Sequence, residues 1–162
     1  MRRVLAVTVL VCAILSTQVT AQVTRPIRIA GHFTGTMFDG PFDNLLVGAR
    51  VLIPVSDRVD VYPSVSRRVE GLGAAWHVSL ALQWRPFGSP DRTPFYLAMG
   101  WMGLNNGNSG EGFDLWAPGV EIPAGRLRPY AELQFLGPLR HVANPQAGFG
   151  VQAQFGLTWA TR

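Results

Sequence analysis

Two segments in the last third of the chain alternate apolar and polar residues with a period of two. In residues 127–135 (LRPYAELQF), every second residue from Leu127 is apolar or proline, and the positions between them carry Arg, Tyr, Glu and Gln. Residues 148–159 (GFGVQAQFGLTW) repeat the pattern, with apolar residues on one face and Gly, Gln and Thr on the other. Alternation this strict over about ten residues indicates β-strands whose two faces meet different surroundings.

The same period recurs along the chain and predicts eight extended segments. They are placed near residues 26–35, 44–54, 58–67, 74–85, 94–103, 113–122, 126–135 and 148–159. The sixth is interrupted by Pro118 and Gly119, where we expect a bulge. Three of the connections begin with a proline that ends a strand, at Pro54, Pro86 and Pro123, and form short or moderate turns. The other connections, such as 104–112 (LNNGNSGEG), are mostly longer and rich in Gly and Asn, so we expect short turns at one end of the sheet and longer loops at the other.

The N-terminus differs from the rest of the chain. Arg2 and Arg3 precede the apolar run VLAVTVLVCAIL, which is followed by small and polar residues ending at Ala21. This order predicts a signal peptide, residues 1–21, cleaved before Gln22, and a single exported domain, residues 22–162. The only cysteine, Cys12, lies in the predicted signal peptide, so the exported domain is expected to lack disulfides.

Charge and composition narrow the class of protein. All 14 basic residues are Arg; without Arg2 and Arg3, 12 remain against 10 acidic residues, which gives no indication of a nucleic-acid partner. Charged residues make up 15% of the chain, against about 25% in ordinary soluble domains. After the predicted signal peptide no apolar run reaches the length of about 18 residues that suggests a spanning helix. A membrane location would therefore require strands.

Eight up-and-down strands expose two sheet edges unless the sheet closes, which favours an antiparallel barrel. The alternation allows two orientations of its faces. A soluble, lipocalin-like barrel would turn the apolar face inward around a hydrophobic ligand, whereas a transmembrane barrel would turn it toward lipid. The polar face is rich in Gly, Ala, Ser, Tyr and Gln, which suits the narrow interior of an eight-stranded barrel.

Tryptophans support the transmembrane orientation. Trp76 and Trp84 share one face eight residues apart, roughly 26 Å along a strand. In a tilted strand this becomes about 20 Å along the membrane normal, close to the separation of the two aromatic girdles of such barrels. The residues predicted to lie at the membrane interfaces are Trp76, Trp84, Trp101, Trp116 and Trp159.

Charged residues on the predicted inner face form a candidate site. Four cations and three anions fall on this face: Arg28, Arg50, Asp60, Arg85, Glu121, Arg128 and Glu132. Unpaired charges in so narrow an interior would be costly, so we expect an ion-pair network, with Glu132 as its centre and Arg50 as its partner. A packed plug is favoured over a narrow pore.

Catalytic chemistry has little support in the sequence. His77-Val78-Ser79 is similar to the His-x-Ser pair of outer-membrane lipid A deacylases, but both residues fall on the inner face, away from lipid. No spacing of His, Asp or Glu indicates a metal or cofactor site. We therefore predict a protein that is not an enzyme and has no cofactor.

Three stretches carry a resemblance to a known family: GARVLIPVSDRVDVYPSVS, PFYLAMGWMGLN and LWAPGVEIPAGRLRPYAELQF. With the rest of residues 26–162, they resemble the small outer-membrane β-barrel proteins of the OmpA and OmpX type. The resemblance implies an all-β, eight-stranded antiparallel transmembrane barrel in the cell outer membrane. The partners it implies are outer-membrane lipid, lipopolysaccharide and, during insertion, the barrel-assembly machinery. Members commonly end on an aromatic residue, whereas here three residues follow Trp159. The oligomeric state is left open.

Overall fold

The computed structural model describes residues 25–36, 44–70, 76–105, 110–138 and 150–160. The predicted signal peptide, residues 1–21, and its cleavage site lie outside the described residues. Eight strands make up the regular structure: β1 Arg28–Thr36, β2 Asn44–Pro54, β3 Val59–Arg68, β4 Trp76–Trp84, β5 Phe95–Asn105, β6 Gly110–Glu121, β7 Leu127–Pro138 and β8 Gly150–Ala160. No helix within these ranges is long and apolar enough to cross a membrane.

Each strand pairs antiparallel with the next, and the sheet closes where β1 pairs with β8. At this closure Arg28 lies opposite Ala160 and Thr36 lies opposite Gln152. Closure leaves no free sheet edge, so the described strands all have two hydrogen-bonded neighbours. The predicted all-β, eight-stranded antiparallel barrel is confirmed.

The outward faces of the strands are predominantly apolar, and the inward faces carry most of the polar side chains, although β6 also turns Phe113 and Leu115 inward. On β4 the side chains alternate between exposed and buried along the whole strand. Leu80, in the middle of that strand, is 55% exposed, whereas Gln83 on the opposite face is completely buried. This is the reverse of a soluble barrel, whose interior is apolar.

Strand β6 differs from the prediction, because it contains no bulge. Its pairing with β7 has the same register on both sides of Pro118: Trp116 lies opposite Phe135, and Gly119 lies opposite Glu132. The expected bulge at Pro118 is therefore wrong. Proline has no N–H to donate, and the pairing between β6 and β7 is interrupted only at residues 117 and 118. The strand loses ladder bonding there but keeps its register.

The two ends of the barrel differ less in connection length than the sequence predicts. One end, called the turn end here, carries connections 55–58, 85–94 and 122–126 together with the start of β1 and the end of β8. The other, called the loop end, carries connections 37–43, 69–75, 106–109 and 139–149. The predicted long loop 104–112 is shorter, because β5 and β6 continue to pair as far as Asn105 and Gly110.

Candidate functional site: the polar interior of the barrel

Polar side chains, most of them facing inward, form three zones along the barrel. The turn-end cluster contains Arg25, Arg28, Asp60, Arg85, Asp91, Glu121 and Arg128. The central cluster contains Arg50, Glu132, Tyr62, Tyr96 and Tyr130. The polar chamber, toward the loop end, is lined by Thr34, Ser64, Ser66, His77, Ser79, Met102, Gln134, Gln152 and Gln154.

Glu132 is the acceptor at the middle of the central cluster. Arg50 Nη1 donates to Glu132 Oε2 at 2.8 Å, and the Tyr96 hydroxyl donates to the same oxygen at 2.9 Å. The other carboxylate oxygen accepts from Gln134 Nε2 at 2.8 Å. The Tyr62 hydroxyl donates to that same oxygen at 3.5 Å. Both charged side chains of the pair are fully buried. A buried ion pair offsets its desolvation only when further hydrogen bonds complete it, and here three neutral donors do so.

Two tyrosine rings hold the Arg50 guanidinium. Its Cζ lies 3.9 Å from the centroid of the Tyr130 ring and 4.8 Å from that of Tyr62. Both separations are within the range of a cation–π contact, which is stronger when the cation is shielded from water. Arg50 is therefore fixed between ring faces and a carboxylate, and these side chains occupy the cross-section of the barrel.

A glycine makes the contact between Tyr96 and Glu132 possible. Gly119 lies between these two residues, paired with Tyr96 on one side and with Glu132 on the other. A Cβ atom on Gly119 would lie 2.3 Å from Tyr96 Cζ. The missing side chain lets the tyrosine ring pass over β6 and reach the carboxylate.

The turn-end cluster is organised around Arg28. Its Nη1 donates to Glu121 Oε1 at 2.5 Å and its Nη2 to Asp60 Oδ2 at 2.7 Å. Arg25 donates to the other oxygen of Asp60 at 2.8 Å. Glu121 is also approached by Arg85 at 3.4 Å and by Arg128 at 3.8 Å.

Arg85 is the least satisfied member of this cluster. Its side chain is fully buried, and Nε, Nη1 and Nη2 all lack a hydrogen-bond partner. Its Cζ lies 5.1 Å from the centroid of the Tyr96 ring. The charge is thus balanced by an ion pair with Glu121 at 3.4 Å and by a ring face, without directed hydrogen bonds.

The structure divides the seven charged residues of the predicted network into two groups. Arg50 and Glu132 meet in the central cluster, and the other five belong to the turn-end cluster. Sequence reasoning missed Arg25, which precedes β1, and Asp91, which lies in the β4–β5 connection and pairs with Arg128. Neither belongs to an alternating segment, so the period of two gave no signal for them.

The polar chamber contains hydroxyls, amides and an imidazole but no carboxylate in its lining. Its free volume of about 10 Å³ has room for roughly one water molecule. His77 and Ser79 are buried in its wall. Next to the chamber, His32 Nε2 lies 2.8 Å from Ser66 Oγ. Within the described ranges no three His, Cys, Asp or Glu side chains come together as a possible metal site.

The predicted interface tryptophans all lie on the outward face. Trp76 and Trp84 are the first and last residues of β4, and Trp159 is next to the end of β8. Trp101 and Trp116 lie further from the ends of β5 and β6, although both are exposed.

The barrel has a counterpart among solved structures. It superposes on the N-terminal β-barrel domain of Pseudomonas aeruginosa OprF with a TM-score of 0.67, covering 85% of this chain and 98% of that one. The two chains share a fold. The OprF barrel is of the OmpA type, so the predicted resemblance is confirmed at the level of fold. Identity between the two sequences is 14%. No protein-family model matches this sequence, and no curated protein matches it significantly.

Proposed function

We propose that this chain is an integral outer-membrane β-barrel protein without enzymatic activity, closed to ions, that acts as a structural element or through its loop end. The observation that carries the proposal is the combination of a predominantly apolar outer face with an interior that buries ion pairs and many polar side chains. The OprF-like fold and the predicted signal peptide support the outer-membrane location. Lipid, lipopolysaccharide and the barrel-assembly machinery are its proposed partners.

A soluble ligand-binding barrel, the other candidate from the sequence, has less support. Such a protein would need an apolar cavity, whereas the described interior holds Arg50, Glu132 and Gln152, all buried. It would also leave Leu80 and Leu133 facing water, 55% and 40% exposed. Contiguous apolar surface on this scale is disfavoured in soluble monomers.

Closure of the interior is inferred from the central cluster. Arg50, Tyr62 and Glu132 are each at most 3% exposed. Arg50 and Tyr62 extend from the neighbouring strands β2 and β3, and Glu132 meets them from β7, across the barrel. A continuous water column through this level would need these side chains to separate.

Three measurements test the proposal. The chain expressed in a Gram-negative host is expected to need detergent for extraction and to migrate differently on gels before and after heating; recovery as a soluble protein without detergent would refute the membrane assignment. N-terminal sequencing of that material should begin at Gln22. In planar bilayers the refolded protein is expected to show no conductance steps, and reproducible steps would refute the closed interior.

A further inference from the structure

Among the side chains that the structure describes in the eight strands, only two charged ones lie on the outward face. They are Arg67 and Asp114, and both are exposed. Arg67 is the penultimate residue of β3, at the loop end. Charges on the lipid-facing surface of a barrel are costly near the middle of the bilayer and cost little near its interfaces. The position of Arg67 therefore suits the headgroup level of the leaflet on the loop-end side.

Arg67 is held against an aromatic ring. It lies directly opposite Trp76 in the ladder between β3 and β4, and its Cζ is 5.4 Å from the centroid of the Trp76 ring. Within the described part of the chain it has no carboxylate at salt-bridge distance. This cation–π contact places the guanidinium over the face of the ring, and among the described residues its N–H groups have no carboxylate to neutralise them.

The surface beside Arg67 is apolar. Val47 is its partner on β2, and Val65 and Val78 form the next outward pair on β3 and β4. These three side chains are 40%, 43% and 49% exposed. A cation above an aliphatic patch matches an amphiphile with an anionic head and acyl chains.

We propose that Arg67, stacked on Trp76, binds the phosphate of a lipid headgroup in the loop-end leaflet, with the acyl chains of that lipid on Val47, Val65 and Val78. The inference rests on the proposed membrane location and adds a partner of defined chemistry. Phosphate is favoured because the planar guanidinium donates two parallel hydrogen bonds to it. Tryptophan at headgroup level is also the expected anchor of such a barrel.

Asp114 provides a matched control. It lies on the outward face of β6, where its neighbour on β5 is Trp101. Asp114 thus places a negative charge beside the same kind of ring on a different part of the barrel surface. This charge should repel a phosphate. Asp114→Asn is therefore expected to leave lipid binding at Arg67 unchanged.

The test is native mass spectrometry of the refolded full chain in detergent, titrated with lipid A carrying both phosphates and with dephosphorylated lipid A. The wild type is expected to bind the phosphorylated form about fivefold more tightly, the factor for one arginine near an anionic membrane surface. Arg67→Gln should lose this preference, and Arg67→Lys should keep part of it. Trp76→Phe should weaken it, while Trp84→Phe, at the opposite end of β4, should not.

The outcomes separate the inference from the proposed function. Equal binding of the two lipids by the wild type, or an unchanged preference in Arg67→Gln, would overturn the lipid site. Displacement of lipid A by millimolar inorganic phosphate would identify a site for free anions instead and would also overturn it. Heat-modifiable mobility in each variant reports a folded barrel. A wild-type chain that never inserts into vesicles would refute the membrane location itself.

Discussion

Replacement of Glu132 by Gln is the most direct test of the central cluster. The substitution keeps the size of the side chain and removes its charge. Arg50 then remains between two tyrosine rings without a counter-ion, although its side chain is fully buried. The two carboxylate oxygens accept from Arg50, Tyr96 and Gln134, and the new amide nitrogen must face at least one of these donors.

The size of the effect follows from these contacts. A hydrogen bond to a charged group contributes about 1.5–3 kcal/mol, and a buried donor left without an acceptor costs about 1–3 kcal/mol. Removing one partner of a buried ion pair costs about 3–5 kcal/mol, which agrees with the sum of these two contributions. We therefore expect Glu132→Gln to lower the free energy of unfolding by about 3–5 kcal/mol.

The measurement is equilibrium urea unfolding of the refolded barrel in lipid vesicles, followed by tryptophan fluorescence and by gel mobility without heating. The control is a double-mutant cycle with Arg50→Met and Glu132→Met. Each single variant should be strongly destabilised, whereas the double variant, with no buried charge left, should lie within about 1–2 kcal/mol of the wild type. A loss below about 1 kcal/mol for Glu132→Gln, or additive single effects, would refute the importance of the pair.

Four further substitutions test other parts of the barrel. Gly119→Ala places a Cβ 2.3 Å from Tyr96 Cζ, and the displaced ring should cost about 1–3 kcal/mol in the same unfolding assay. Leu80→Arg puts a charge on the middle of the outward face and should cost about 2–4 kcal/mol in vesicles; no loss there would contradict contact with hydrocarbon. Arg85→Met should leave the free energy of unfolding unchanged or raise it, because three guanidinium nitrogens of Arg85 lack partners. Glu121→Gln removes the carboxylate that faces several arginines, so it should lower the free energy of unfolding measured by urea titration.

The faces of the barrel were predictable because a strand allows only two directions for each side chain. Once the alternation around Leu133 and Glu132 is read as a strand, one residue must point to lipid and its neighbour to the interior, or the reverse. Choosing between these two options needed only the nature of the polar face and the spacing of Trp76 and Trp84.

Contacts across the interior were less accessible to sequence reasoning. Arg50 and Glu132 lie on β2 and β7, so their meeting depends on the register of the strands between them and on side-chain conformation. The role of Gly119 as a gap beneath Tyr96 also depends on register. The bulge expected at Pro118 was wrong because a single proline removes a donor without requiring an extra residue.

The hydrogen bonds of the interior connect the central cluster more closely to one end of the barrel than to the other. Gln134 Nε2 donates at 2.8 Å both to Glu132 and to Gln154, which lines the polar chamber. Toward the turn end, the cluster contacts Arg85 through the face of the Tyr96 ring, whose centroid lies 5.1 Å from Arg85 Cζ. Loss of the Glu132 charge should therefore disturb the loop-end half of the interior before the turn-end cluster. The interior also buries apolar side chains, among them Leu52, Leu115 and Leu136. Its shape therefore depends on these polar contacts together with the apolar packing beside them.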